Sequence, residues 1–136
     1  MEIILAENHG FCYGVKRAVE MANEAANSDG KSYTLGPIIH NPQVVGRLED
    51  KGVSPVQEVS DIAEGTMIIR SHGVGPAIYE EAEEKGLHVV DATCPHVKKA
   101  QQDAKSVIDD GMTLVILGEK NHPEVKSINS VSYTHL

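Results

Sequence analysis

Short apolar, β-branched segments alternate with amphipathic stretches along most of this chain, and that alternation leaves few folds open. The segments are EIILA (2–6), SYTL (32–35), TMIIR (66–70), LHVVDA (87–92) and TLVILG (113–118), each followed by a stretch of helical character. After the first, Val15, Ala18, Val19, Ala22, Ala25 and Ala26 recur at helical spacing until SDG (28–30) stops them. Val97, Ala100, Ala104, Val107 and Ile108 repeat the pattern ahead of DDG (109–111). Strand and helix in alternation predict an α/β fold, with repeated β-α units, a mostly parallel sheet and helices on both faces. A chain of 136 residues can bury such a core, and 40% apolar residues with one Phe and no Trp suit the Val, Ile, Leu and Ala filling of a parallel sheet.

Charge and cysteine usage narrow the function. A formal charge of −8 argues against nucleic acid or an anionic membrane as the main partner, so an anionic ligand has to be held by local features. No apolar run reaches the length of a membrane span, and the N-terminus reads as a strand instead of a signal peptide, which predicts a cytoplasmic protein. Two cysteines in a reducing compartment argue against a structural disulfide and leave buried thiols or metal ligation.

The reactive residues fall at corresponding places in this frame. Cys12 follows the first strand segment, His40 the second, His72 the third, Cys94 the fourth, and His122 with Glu124 the fifth. In a parallel sheet those loops share one edge, where open α/β folds bind ligands. HNP (40–42), HGVGP (72–76), TCP (93–95) and NHP (121–123) each set a His or Cys ahead of a proline suited to the first helical position. Several helix N-termini then aim free N–H groups at one region, as a phosphate or other polyanion requires. His9, His88, His96 and His135 show no such pattern, and Lys16 and Arg17 are assigned to helix and surface.

Two cysteines and three histidines allow more than one chemistry. Structural zinc sites draw ligand pairs from close spacings such as C-x-x-C, and no such pair exists here. An iron–sulfur cluster accepts thiolates from distant segments, yet two cysteines fall short of its usual complement. A stand-alone zinc-binding or anion-binding α/β module, without redox chemistry, is therefore the alternative to a cluster enzyme.

GFCYGVKRAVE, GPIIHNPQVVGRLEDKGV, IRSHGVGPAIYEEAEEKGLHVVDATCPHVKKAQ and GEKNHPEVK resemble, in order, the 4-hydroxy-3-methylbut-2-enyl diphosphate reductase (LytB/IspH) family. The resemblance runs from residue 2 to about residue 129 and departs in the tail VSYTHL (131–136). It implies an N-terminal piece of a three-domain enzyme: residues 1–92 as a first α/β domain, whose opening strand at 1–12 packs with a third domain, and residues 93–136 as the start of a second. It implies a 4Fe-4S cluster with Cys12 and Cys94 as two ligands, the third cysteine having no counterpart here. It implies that His40, His72 and His122 hold the diphosphate of the substrate and that Glu124 supplies protons. The activity implied is the terminal step of the non-mevalonate isoprenoid route, yielding isopentenyl and dimethylallyl diphosphate, with electrons from a donor such as ferredoxin or flavodoxin.

Overall fold

Strands β1 (Ser32–Leu35), β2 (Val53–Val56), β3 (Thr66–Ile69) and β4 (His88–Asp91) form one parallel sheet in the order β2-β1-β3-β4. The structure, a computed structural model, describes residues 1–7, 9–28 and 30–131. Helices α1 (Tyr13–Ala26), α2 (Pro42–Glu49), α3 (Pro76–Glu84), α4 (Pro95–Asp109) and α5 (Pro123–Ser130) complete it, with a short 3-10 turn at Val59–Asp61. The α/β class and the parallel pairing agree with the sequence pattern.

Side chains alternate across each strand, so neighbouring residues of β3 serve different layers. Ile68 packs with Ala18, Ala22 and Ala25 of α1 and Leu48 of α2, whereas Met67 and Ile69 pack with Ala82 of α3, Val59, Ile62 and Leu87. All three β3 side chains are fully buried, which is why this strand carries no polar residue between Met67 and Ile69. The stripe of alanines lets α1 lie close on the sheet. Burial of these two apolar layers is the main favourable contribution to the fold.

The edges depart from the sequence expectation in three places. Residues 2–6 and 113–118 are not strands: Ile4 is 82% and Leu117 94% exposed, and neither segment pairs with the sheet. A β-prone run becomes a strand only where it reaches a neighbour's ladder of hydrogen bonds, and among the described residues neither segment is paired with β2 or β4, the two edge strands. Conversely β2, VSPV, has no apolar run to announce it; pairing with β1 makes it a strand, and its position at the sheet edge tolerates Pro55. No helix among the described residues is long and apolar enough to cross a membrane. His135 and most of the tail lie outside the described residues.

Candidate functional site

The hydrogen-bond ladder of the sheet continues past the strand ends and aligns the loops that carry the candidate residues. After β1, the Ile38 carbonyl accepts from Ser71 N–H at 3.3 Å and from Ser71 Oγ at 3.2 Å in the loop after β3. The Ser71 carbonyl in turn accepts from Cys94 N–H, 2.9 Å away, in the loop after β4. His40, His72 and Cys94 are thereby drawn to one end of the sheet, as the sequence predicts.

Helix starts supply the rest. Pro42, Pro76, Pro95 and Pro123 each open their helix, the position proline fills without losing a hydrogen bond. Cys12, Cys94 and His122 are the residues immediately before α1, α4 and α5. Asn41 caps α2 by accepting from Val44 N–H at 3.1 Å, and His122 Nδ1 accepts from Glu124 N–H at 3.3 Å. Glu124 therefore sits in the first turn of α5, where its carboxylate meets the positive end of the helix dipole. The expectation that Cys12, His122 and Glu124 follow strands is corrected: residues 2–6 and 113–118 are extended chain, and these three are placed by the helices they begin.

Three imidazoles meet. The ring centroids of His40 and His72 are 4.5 Å apart, those of His72 and His122 5.8 Å, and those of His40 and His122 6.1 Å. Burial, then the proximity of His40, Arg70 and His122, pulls the pKa of His72 down to about 4, so its ring is neutral near pH 7. Its Nδ1 is buried with no hydrogen-bond partner, and so is Nε of the neighbouring Arg70, whose pKa burial also lowers. Buried polar atoms without partners are costly, and two of them on residues 70 and 72 mark this end of the sheet as built for something other than stability.

The start of α1, which follows Cys12, packs against the Cys94 loop. Neither Cys12 nor Cys94 is in a disulfide; Cys12 is exposed and Cys94 partly so. Gly14 packs against Cys94 so closely that a β-carbon on it would lie 2.5 Å from the Cys94 sulfur. Arg17, one turn further along α1, donates from Nη1 to the Thr93 carbonyl at 3.2 Å, so this residue ties α1 to the Cys94 loop instead of serving only helix and surface. Among the described residues no group of three or more His, Cys, Asp or Glu side chains is arranged to hold a metal ion.

An acidic anchor fixes the Cys94 loop from behind. Asp91, the last residue of β4, accepts from Thr93 N–H at 2.9 Å, from Tyr79 Oη at 2.9 Å and from Lys98 Nζ at 2.6 Å. Burial would raise its pKa, but the hydrogen bonds from Lys98, Thr93 and Tyr79 outweigh that and hold it below the usual carboxylate range. Tyr79 is pushed up to about 12 by burial and by the Asp91 charge. The sequence carries one local sign of this arrangement, an Asp two residues before the Thr it caps. Arg17, Ser71 and Tyr79 have no local sign, since each acts across a long stretch of chain.

Comparison with known proteins follows the same lines. A family model described as LytB protein matches residues 3–136. The 4-hydroxy-3-methylbut-2-enyl diphosphate reductase of Geobacter sulfurreducens is 56% identical over 133 residues, covering 98% of this chain and 46% of that protein. The reductase of Geotalea uraniireducens is 55% identical with the same coverage. A solved structure described as (E)-4-hydroxy-3-methyl-but-2-enyl diphosphate reductase, the terminal enzyme of the non-mevalonate pathway, superposes with a TM-score of 0.84 at 51% identity, over 95% of this chain and 46% of that one. The corresponding reductase structure from Plasmodium falciparum gives a TM-score of 0.88 at 31% identity, over 92% of this chain and 40% of that one. The chain thus spans about half the length of the curated relatives it matches. With the sequence match running through both candidate cysteines and all three clustered histidines, this chain belongs to the LytB family.

Proposed function

We propose that this chain forms part of a 4-hydroxy-3-methylbut-2-enyl diphosphate reductase, contributing the diphosphate seat, a proton donor and two thiolate ligands of an iron–sulfur cluster. The observation that carries this reading is the meeting of His40, His72 and His122 at the same sheet end as Cys94, beside the starts of α4 and α5. Imidazole N–H groups and unsatisfied helix N–H groups neutralise an anion without a basic surface, which suits a chain of charge −8.

The two thiols fit a 4Fe-4S cluster as part of a ligand set. Each lies at a helix N-terminus, and Gly14 lets the two helix starts approach. A third thiolate comes from outside this chain. When bound, the cluster supplies the two electrons of a reductive dehydroxylation, delivered from a ferredoxin or flavodoxin in the cytoplasm. Overall, the substrate takes up two electrons and two protons, its C–O bond breaks, and water leaves with isopentenyl or dimethylallyl diphosphate. His40, His72 and His122 hold the diphosphate and so fix the distance of the hydroxyl from Glu124. The Glu124 carboxyl passes a proton to the departing oxygen, a positioned acid whose value lies in its geometry. The exposed apolar side chains of residues 3–5 and of Met112, Val115 and Leu117 support a division in which residues 1–92 form a first domain, the opening strand excepted, and residues 93–136 begin a second.

The test is anaerobic iron and sulfide reconstitution of the enzyme encoded by the complete reading frame, followed by Mössbauer spectroscopy with and without substrate. A cubane cluster with one iron whose signal responds to substrate is the expected result. Stoichiometric zinc with no iron or sulfide would replace this reading with the zinc-binding module.

A further inference from the structure

The loop carrying His72 is fastened to α5 by side chains that neither the sheet nor the helix requires. The Ser127 hydroxyl lies between two carbonyls, 2.7 Å from that of His72 and 2.9 Å from that of Glu124. One hydroxyl therefore stands between the main chain of the His72 loop and the main chain of α5 at Glu124. Gln101, reaching across from α4, donates from Nε2 to the Val74 carbonyl at 3.0 Å and to the Ser127 carbonyl at 3.3 Å. Between them lies Gly73, in the left-handed region at φ +73°, where a β-carbon would come within 2.9 Å of Thr93 Cγ2 and 3.3 Å of Gln101 Nε2. The loop, α4 and α5 are thus close-packed at this point, and Ser127 is only 3% exposed.

We infer that Ser127 and Gln101 are positioning residues: they lock the His72 loop onto the helix that carries His122 and Glu124, so that the anion seat is assembled before its ligand arrives. The inference rests on the diphosphate-binding reading above and adds the two side chains through which the seat is held. Beside the clasp, the loop meets α5 where Gly75 packs against Ser130, a contact that does not reach the main chain of His72. Without the clasp, the loop would have to be ordered at the expense of binding energy.

The test compares the wild-type chain with S127A, Q101E and S130A. Q101E is isosteric and turns an acceptor toward two carbonyls. Ser130 donates to the Ser127 carbonyl at 2.7 Å, so S130A removes a bond of the same kind from the same helix without touching the His72 carbonyl. Ring-to-ring nuclear Overhauser contacts between His72 and His122 report the geometry, and calorimetric titration with inorganic diphosphate reports the seat. S127A and Q101E are expected to lose the His72–His122 contacts and to bind diphosphate about fivefold more weakly, the size of one net hydrogen bond. S130A keeps both, while its unfolding midpoint falls as far as that of S127A. The inference is overturned if S127A and Q101E retain contacts and affinity, or if S130A loses them equally. Should the contacts respond as expected while wild type fails to bind diphosphate, the clasp stands and the diphosphate reading falls.

Discussion

Gly14 of α1 and Cys94 of the loop before α4 touch so closely that a β-carbon at residue 14 would stand 2.5 Å from the Cys94 sulfur and 3.2 Å from its β-carbon. A methyl group cannot be accommodated there unless α1 or the thiol moves. The Gly14→Ala variant is expected to separate the Cys12 and Cys94 loops and lower stability by about 1–3 kcal/mol, as overpacking does. Iron content after anaerobic reconstitution of the complete enzyme should fall by more than half while far-UV circular dichroism stays native. Full iron loading in G14A would show that the close approach is packing alone.

The depressed pKa of His72 fixes the direction of one pH dependence. In the native state the ring stays neutral down to about pH 4, whereas in the unfolded chain it takes up its proton near 6.5. Between those values the unfolded state holds the extra proton, so this contribution is complete above about pH 6.5 and is lost as pH falls toward 4. Urea unfolding at pH 7 and pH 4.5 should show the loss, and His72→Gln should shrink it. Adding inorganic diphosphate favours the charged ring and should move the His72 midpoint upward in an NMR titration.

Asp91 holds three donors from three elements, so removing its charge should be felt at each. Asp91→Asn is expected to cost about 1–3 kcal/mol, the range for hydrogen bonds to a charged group. The Tyr79 phenol offers a direct readout. Burial is the largest single cause of its pKa of about 12, followed by the charge and hydrogen bond of Asp91, so spectrophotometric titration of D91N should show a lower midpoint that remains above 10.0. The Asp91 contribution has the opposite charge type to that of His72 and a different window. Its folded pKa lies below the ordinary carboxyl value of 3.8, so its stabilisation is complete above that ordinary value and is lost as pH falls from there through the folded pKa.

Ile3, Ile4 and Leu5 at one end and Val115 and Leu117 at the other leave large apolar side chains in solvent. Leu117→Lys should therefore change the stability of this chain by no more than about 0.5 kcal/mol, as for other surface substitutions. If the longer protein proposed above pairs a strand with residues 113–118, the same change made there should cost about 2 kcal/mol or more. Denaturant unfolding of the variant in both lengths of protein measures the difference.

The sequence by itself determined the helix starts and the inner strands. Pro42, Pro76, Pro95 and Pro123 open helices because proline fits the first turn whatever surrounds it, and the runs at 32–35 and 66–69 become the inner strands because both faces can be buried, with 88–91 pairing on β3 at the edge. These local rules also brought His40, His72 and Cys94 to one end of the sheet. Tertiary structure decided what depends on a partner distant in the chain. Val53–Val56 became a strand because it pairs with β1, and the more apolar segments 2–6 and 113–118 did not because neither is brought alongside β2 or β4, the two edge strands. The Arg17–Thr93, Ser127–His72 and Gln101–Val74 bonds span 76, 55 and 27 residues, so no window of sequence contains both partners. A side chain's preference for helix or strand is local, but a hydrogen bond between loops exists only once the sheet has brought them together.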